Sequence, residues 1–561
     1  MSSTTLTVHD RFSPQQVEQY YADGEWMRES FYRQLTEQAR VRPGKTYVFD
    51  STTSLTYSEF REKALRLAVG LKRLGVGKGD RVVAQLPNWT EFPVIAAATS
   101  RIGAVVVPVM PIYRAGDVGY VLENSGAVLA ITAHEFRGFG YVDMFQSLRD
   151  RAPSLRHIIA VRPDESLDRN IATPFDDILA GGGIAELEAE AGPDSSPDDP
   201  FEIVYTSGTT SRPKGCYHTL NTVRSSAVKM VRDLGYTEDD VQFGPSPITH
   251  STGLVTSILI PLLTGASSHF MEVWDPQDAV RRIQQHKITA AVTATPFLQM
   301  LMGAFDPAKD DAGSLRLWVC AGAPIPGSVV RRAGELLPGC RTLSLYGRSE
   351  NLATTLCTLG DGPERAVLSD GRATGPSEVK IVGSFGEEVP RGEEGDIAYR
   401  GPSHMLGYWA NEDETKALFT PEGFSLSGDL GRMDEAGYVR VTGRVKDIII
   451  RGGMNISARE IEDQLLEHHA VDGVAVVAMP DDRLGEKACA YIVPAQPGEP
   501  PLLDELAAYL RSRGMPVQKF PERLEIVDQL PTTATGKIQK HLLRADVAGK
   551  LTQVGTQASS W

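Results

Sequence analysis

None of the five cysteines (Cys216, Cys320, Cys340, Cys357, Cys489) stands in a C-x-x-C pair, and their number is odd. That pattern excludes a zinc ribbon and a disulfide framework and leaves reduced, buried thiols as the expectation. Basic residues are in short supply: 57 Lys and Arg face 72 Asp and Glu, a net charge of −15. Such a balance lacks the basic face that phosphate backbones require, so no nucleic-acid partner is expected. Long apolar runs are missing as well. The most apolar stretch, residues 92–111, carries Arg101 in its middle and Pro93, Pro108 and Pro111. It reads as a buried helix followed by a strand, not as a membrane span. Residues 1–11 are polar and contain no signal-peptide core. A cytoplasmic protein without a membrane partner is therefore expected. There is no internal repeat.

What is present points to at least two domains, because 561 residues exceed what one hydrophobic core organises. Thr56 and Glu59 form a capping box that opens a helix carrying Phe60, Ala64, Leu67 and Leu71, with Gly75 as its stop. Apolar runs at residues 81–86 and 104–109 alternate with helical patterns, the signature of a largely parallel sheet covered by helices. Residues 181–200, rich in Gly, Glu, Asp and Pro, read as an exposed connection. Three further strands, at residues 202–206, 316–320 and 341–345, each run straight into a turn. In open α/β sheets ligands bind beyond the carboxyl ends of the strands, so those turns are expected to share one crevice. The last hundred residues read as a separate small α+β unit. It has a capped helix from Ser457 and Glu460, strands at 474–479, 487–493 and 522–527, and a helix at 503–513. The boundary is expected at 444–447, separating residues 1–443 from 448–561.

The segment with the most chemistry is Tyr205-Thr206-Ser207-Gly208-Thr209-Thr210-Ser211-Arg212-Pro213-Lys214-Gly215. Small hydroxyl residues and Gly208 allow backbone N–H groups to approach a phosphate, and Lys214 adds positive charge. It is not a Walker A loop, since no glycine precedes Lys214 and no Ser or Thr follows it.

This segment resembles the phosphate loop of the adenylate-forming (ANL) superfamily, which includes acyl-CoA synthetases, aryl-acid ligases, luciferases and peptide-synthetase adenylation domains. Compatible motifs follow in order from about Leu55 to Leu543. The resemblance implies an α/β fold: a large N-terminal domain of mixed α/β sheets flanked by helices, with a small barrel-like part, then a small mobile α+β C-terminal domain. It also implies a set of roles. Thr206, Ser207, Gly208, Thr209, Thr210 and Lys214 would hold phosphate. Pro247 to Gly253 resembles the segment beside the acyl carboxylate, with His250 gating the pocket and Gly253 beginning its helix. Gly322, Ala323 and Pro324 would pack on adenine. In the turn Tyr346-Gly347-Arg348-Ser349-Glu350, the tyrosine would stack on adenine, the hydroxyl would meet phosphate and Glu350 would hold Mg2+. Asp429 and Arg444 would bind ribose, and Lys446 would be the hinge. Gly452, Gly453 and Met454 would line the coenzyme A channel after rotation of the small domain. Lys537 would bridge the substrate carboxylate and the α-phosphate, with Thr209 assisting.

The implied activity is an acyl-CoA ligase that uses ATP, Mg2+ and coenzyme A and proceeds through an acyl-AMP. The acyl pocket would be formed by His250, Ser251, Gly253, Phe297, Ala321 and Arg348. Its small residues suggest a bulky hydrophobic or ring-bearing acid. Four departures from the family pattern stand out: Ser211 for glycine, Arg348-Ser349 in the turn, Leu220 for histidine and Ser427 for threonine. Arg348 could pair with Glu350 and compete with Mg2+ for its carboxylate. A second reading follows, in which the protein only converts a supplied acyl-AMP and coenzyme A to the thioester and needs a partner enzyme to supply the adenylate. A third, a non-catalytic acyl-nucleotide-binding protein, is opposed by the retention of Lys537 and Glu350. The chain ends at Trp561 soon after Lys537, so a fused carrier domain is not expected, although a free-standing carrier thiol could replace coenzyme A. A homodimer is compatible with the sequence.

Overall fold

The structure is a computed structural model that describes residues 6–206, 212–322, 325–383, 386–533 and 537–558, the side chains of 552–558 excepted. The capping box at Thr56 forms as read: its hydroxyl accepts from the Glu59 N–H, and its own N–H donates to the Glu59 carboxylate. The helix Tyr57–Arg73 buries Phe60, Ala64, Leu67 and Leu71, the face its periodicity marked.

Two eight-stranded sheets form the large part. One runs in the order Thr355–Leu356, Arg341–Tyr346, Leu317–Ala321, Ala290–Thr293, Val241–Gly244, Ser267–Phe270, Thr46–Phe49, Ser54–Thr56. Its six central strands are parallel and its two outer strands antiparallel. The other runs Gly407–Tyr408, Gly215–Thr219, Pro200–Tyr205, Val105–Pro108, Arg81–Gln85, Leu129–Ala133, His157–Val161, Thr173–Pro174. One continuous apolar cluster joins both sheets through the helices between them. The part expected to be barrel-like is a four-stranded antiparallel sheet, Glu378–Val382, Glu394–Arg400, Ser425–Met433 and Val439–Arg444.

The C-terminal part has cores of its own, built only from residues beyond 448. Its five-stranded sheet pairs Val471–Asp481 with Gly485–Pro494 in a long hairpin, flanked by the helices Ala458–Leu465, Leu503–Ser512 and Lys540–Ala558.

Residues 181–200 are a correction. They are not simply an exposed connection, because Ile184–Ala191 is a helix that buries Leu187 and Ala191. Its Glu188 accepts from Tyr32 at 2.7 Å and from Arg61 at 2.6 Å, and Asp194 pairs with buried Arg101 at 3.0 Å. The acidic composition that suggested solvent serves distant basic partners instead. The apolar stretch is the helix Glu91–Arg101 and the strand Val105–Pro108, both buried, and no helix among the described residues is long and apolar enough to cross a membrane. All five cysteines are buried and free.

Glu202 is fully buried in Pro200–Tyr205, directly across from His218, and neither carboxylate oxygen has a hydrogen-bond partner. Burial pushes its pKa up to about 8. The folded state thus holds the proton more tightly than the unfolded chain, where the value is about 4.3. The stability this gives is complete below that lower value and is lost as pH rises towards 8. Glu202→Gln should therefore gain in melting temperature relative to the parent as pH is raised from 5 to 8, with little difference at pH 5. Parallel melting curves in thermal scans would show that Glu202 is not the titrating group.

Candidate active site

The carboxyl ends of strands Leu317–Ala321 and Arg341–Tyr346 open onto a cavity bordered also by the four-stranded sheet and the C-terminal part. The phosphate-loop residues Ser207, Gly208, Thr209, Thr210 and Ser211 lie outside the described residues, as do Ala323 and Pro324. The base of that loop is closed by Thr206, whose N–H donates to the Lys214 carbonyl at 2.9 Å. Lys214 is engaged elsewhere: its ammonium pairs with Glu414 at 2.6 Å and lies over the Tyr408 ring.

Strand Arg341–Tyr346 delivers the turn that organises the site. The Tyr346 hydroxyl donates to Asp429 at 2.6 Å, and Arg444 pairs with the other oxygen of that carboxylate at 2.8 Å. Asp429 is buried whereas Arg444 is half-exposed, so the carboxylate is held from below and from solvent. Gly347 admits no side chain, since a Cβ there would collide with the Leu352 carbonyl. Glu350 accepts from the Tyr408 hydroxyl at 2.7 Å.

The expected competition between Arg348 and Glu350 is corrected. Arg348 donates to the Leu426 carbonyl and to Ser425 Oγ, each at 2.8 Å, and no ion pair joins it to Glu350 among the described residues. The long side chain reaches across to strand Ser425–Met433, where fixed acceptors wait. Ser427 keeps a hydroxyl in use, donating to Asp396 at 3.0 Å and accepting from the Asp429 N–H at 2.9 Å.

Two residues escaped sequence reasoning. His218 is fully buried, and its Nε2 meets the Ser349 carbonyl at 2.8 Å while Nδ1 faces the Thr222 hydroxyl at 3.0 Å. Burial pulls its pKa down to about 4, so the neutral ring donates from Nε2 and accepts at Nδ1. It stands two positions before Leu220, and no local pattern marked it, because all five residues of strand Gly215–Thr219 are buried. Asp396, the other, accepts from the N–H groups of Ser427 and Gly428 at 2.8 and 3.0 Å and so shapes the approach to Asp429.

His250 caps the short helix Ser251–Gly253 by accepting from the Thr252 N–H. Burial, with Lys537 nearby, pulls its pKa down to about 4, so the imidazole is neutral near pH 7. The helix begins at Ser251 and not, as expected, at Gly253, which is its last residue and lies so close to the Pro247 carbonyl that a Cβ would strike it. A cavity of about 80 Å³ is bordered by His250, Ser251, Phe297, Ala321, Arg348 and Lys537. A second, of about 570 Å³, lies between the large part and the C-terminal part and is bordered by Tyr346, Asp429, Arg444, Lys446 and Lys537. Gly322, Leu345, Gly347 and Lys537 border both. Lys537 is partly buried there, and the partial loss of water lowers its pKa. Gly452, Gly453 and Met454 are not brought to either cavity; they form the tip of the hairpin Ile448–Arg451/Met454–Ser457, with Met454 exposed. No cluster of three His, Cys, Asp or Glu that could hold a metal exists among the described residues.

The family described as AMP-binding enzyme matches residues 35–409, and AMP-binding enzyme C-terminal domain matches residues 460–537. The chain is 35% identical over 551 residues to a medium-chain fatty-acid–CoA ligase of Escherichia coli (strain K12), covering 98% of this chain and 96% of the other. It is 31% identical to a 2,3-dihydroxybenzoate-AMP ligase of Bacillus subtilis (strain 168), covering 95% and 97%. Among solved structures, an anthranilate CoA ligase in complex with anthranoyl-AMP superposes with a TM-score of 0.84 at 26% identity, covering 94% of this chain and 98% of that one.

Removing the imidazole in His218→Ala leaves the buried Ser349 carbonyl without its donor, a loss of about 1–3 kcal/mol. The urea midpoint should fall accordingly, and His218→Asn, which can still donate, should recover part of it. An unchanged midpoint for the alanine variant would mean that His218 does not support the turn.

Proposed function

The chain belongs to the AMP-binding enzyme family, the adenylate-forming (ANL) superfamily, and from that premise we propose that it is an acyl-CoA ligase for a ring-bearing carboxylic acid. One observation carries the reading: Lys537 borders both the small cavity beside His250 and the large one beside Asp429. An acid seated in the first and a nucleotide in the second meet at that ammonium.

The substrate carboxylate attacks the α-phosphorus of ATP, the bond to the β-phosphate oxygen breaks, and pyrophosphate leaves. No enzyme nucleophile is required; the work is to hold two anions together and offset the charge between them. Lys537 does this from a partly buried site where water screens it less, so its field falls on the reacting oxygens. Asp429 is in reach of ribose hydroxyls from the buried end of its pairing with Arg444. Neutral His250 stands by the carboxylate without adding charge.

Glu350 fits the expected Mg2+, because Tyr408 occupies one carboxylate oxygen and, among the described residues, no hydrogen bond takes the other. A single carboxylate suffices for an ion held mainly by phosphates, whose charge it would offset. The thiol of coenzyme A then attacks the acyl carbonyl, gives up its proton and displaces AMP. For that step Lys537 must withdraw. We assign the turn at 444–447, with Lys446, as the hinge between residues 1–443 and 448–561, and Gly452, Gly453 and Met454 as the channel that the rotated domain brings in. The separate cores of the two parts support that division. The bonds of Arg348 to Leu426 and Ser425, with no ion pair to Glu350 among the described residues, favour the full reaction over a protein confined to the second half-reaction.

ATP–pyrophosphate exchange over a panel of carboxylic acids tests the reading, and at least one acid should support it. Lys537→Ala should lower exchange by about 10²–10³-fold, the range for losing one preorganised group at a developing charge. The same variant should still make acyl-CoA from synthetic acyl-AMP and coenzyme A within a few-fold of the parent. Equal loss in both half-reactions would reject the role given to Lys537. Across pH 5.5–8 the exchange rate should show no step attributable to His250, whose charge change lies near pH 4. A step in that range that disappears in His250→Phe would contradict its assignment as a neutral group.

A further inference from the structure

The lysine at the base of the phosphate loop does not present a bare charge. The Lys214 ammonium pairs with Glu414 at 2.6 Å and lies 5.1 Å from the centre of the Tyr408 ring. Backbone contacts hold both ends of this pair. The Lys214 carbonyl accepts the Thr206 N–H at 2.9 Å, and the Gly215 carbonyl accepts the Trp409 N–H at 2.7 Å. A Cβ on Gly215 would collide with Ile203, so the chain there is already packed against its neighbours. Opposite, strand Gly407–Tyr408 pairs with Gly215–Thr219, and the Tyr408 N–H donates to Thr415 Oγ1 at 2.9 Å. Asn411 caps the helix Glu412–Leu418 by accepting from the Glu414 N–H at 3.2 Å. With both backbones tied, it is the side chains that can part, and the lysine stem is flexible. The same segment reaches Glu350: the Met405 N–H donates to its carbonyl at 2.8 Å and the Tyr408 hydroxyl to its carboxylate at 2.7 Å. The Lys214–Glu414 pair therefore stands beside the carboxylate expected to hold Mg2+.

Side-chain exposure is 27% for Lys214 and 48% for Glu414, so water screens the pair and keeps it weak enough to exchange. The terminal phosphates of a nucleotide carry more charge than one carboxylate and offer several acceptors to the same ammonium. Resting on the ligase reading above, we propose that Glu414 is a positioning residue that acts through Lys214. It holds the ammonium while the site is empty, yields it to the β- and γ-phosphates of ATP, and takes it back as pyrophosphate leaves. Glu414 is thus a built-in competitor of both polyphosphates: it costs affinity for ATP and eases the release of pyrophosphate. AMP, which has neither phosphate, takes no part in the exchange. Its neighbour Glu412 is engaged with Lys416 at 2.7 Å, which leaves Glu414 as the competing carboxylate of that pair.

The test is calorimetric titration of the full chain with the Mg2+ complex of α,β-methylene-ATP, which cannot be cleaved at that linkage, and separately with AMP. Glu414→Gln should bind the analogue about two- to fivefold more tightly than the parent, the weight of one partly exposed ion pair. Its affinity for AMP should be unchanged, which also reports an intact fold. Lys214→Met should bind the analogue about tenfold more weakly, the weight of a lost charge-assisted hydrogen bond, again with AMP unchanged. In that background Glu414→Gln should add nothing, because the two residues act as one unit. The KM for pyrophosphate in the exchange reaction should fall in Glu414→Gln by a factor similar to its gain for the analogue. Unchanged or weaker analogue binding in Glu414→Gln overturns the proposal, as does an unchanged or raised KM for pyrophosphate. An equal gain for AMP, or a gain that persists without Lys214, overturns it too. In each of these cases a parent that exchanges pyrophosphate with some acid leaves the ligase reading standing. A parent that binds neither nucleotide and exchanges with no acid sinks both.

Discussion

Asp429 is where three separate pieces of the chain are tied together. Its buried carboxylate accepts the Tyr346 hydroxyl from the end of the parallel sheet and pairs with Arg444 from the last strand before the C-terminal part. Asp396, through the N–H groups of Ser427 and Gly428, holds the backbone that presents it. A carboxylate takes several donors at once, and charge-assisted hydrogen bonds are the strong ones. Without such a centre, the turn 346–350, the four-stranded sheet and the link to the small part would have no common reference, and the two cavities would not meet at Lys537.

The C-terminal part is held against this centre by few and polar contacts. Ser457 donates to the Thr442 carbonyl at 2.6 Å, Arg440 reaches Asp463 at 3.7 Å, and Arg544 pairs with Asp447 at 2.8 Å. These pairs are partly exposed, and exposed pairs are worth about 0–1 kcal/mol each. The apolar clusters of the small part are internal to it. An interface so composed defines an orientation while keeping the energy needed to leave it modest. That balance suits the withdrawal of Lys537 proposed between the two half-reactions.

Arg348 shows how a local reading fails. Beside Glu350 in sequence, it suggested a local ion pair and a crippled metal site. Its actual partners, Leu426 and Ser425, lie 78 and 77 residues further along the chain. The residue that might have been read as damage is an anchor between two sheets, with one nitrogen left over in the acyl cavity. His218 is the converse case: its partner Ser349 is 131 residues away, so nothing in its neighbourhood announced it.

The capping box at Thr56, the periodic face of Tyr57–Arg73, the strands that end in turns and the separate C-terminal unit were all determined by the sequence alone. Each depends on residues within a few positions of one another or on a repeating apolar pattern, and backbone geometry turns such spacing into structure directly. The motifs also placed in order Tyr346, Asp429, Arg444 and Lys537, which border one cavity in the structure. Only the tertiary structure decided which hydroxyls, carboxylates and guanidinium groups find partners, since long polar side chains pair across the fold with acceptors that no local spacing encodes. It decided that residues 184–191 pack as a helix, that the Arg348 guanidinium bonds to Leu426 and Ser425 and not to Glu350, and that Ser226 and Ser251 are left unpaired in the cavity. Burial sets the cost of each unpaired group, and burial is a property of the whole fold.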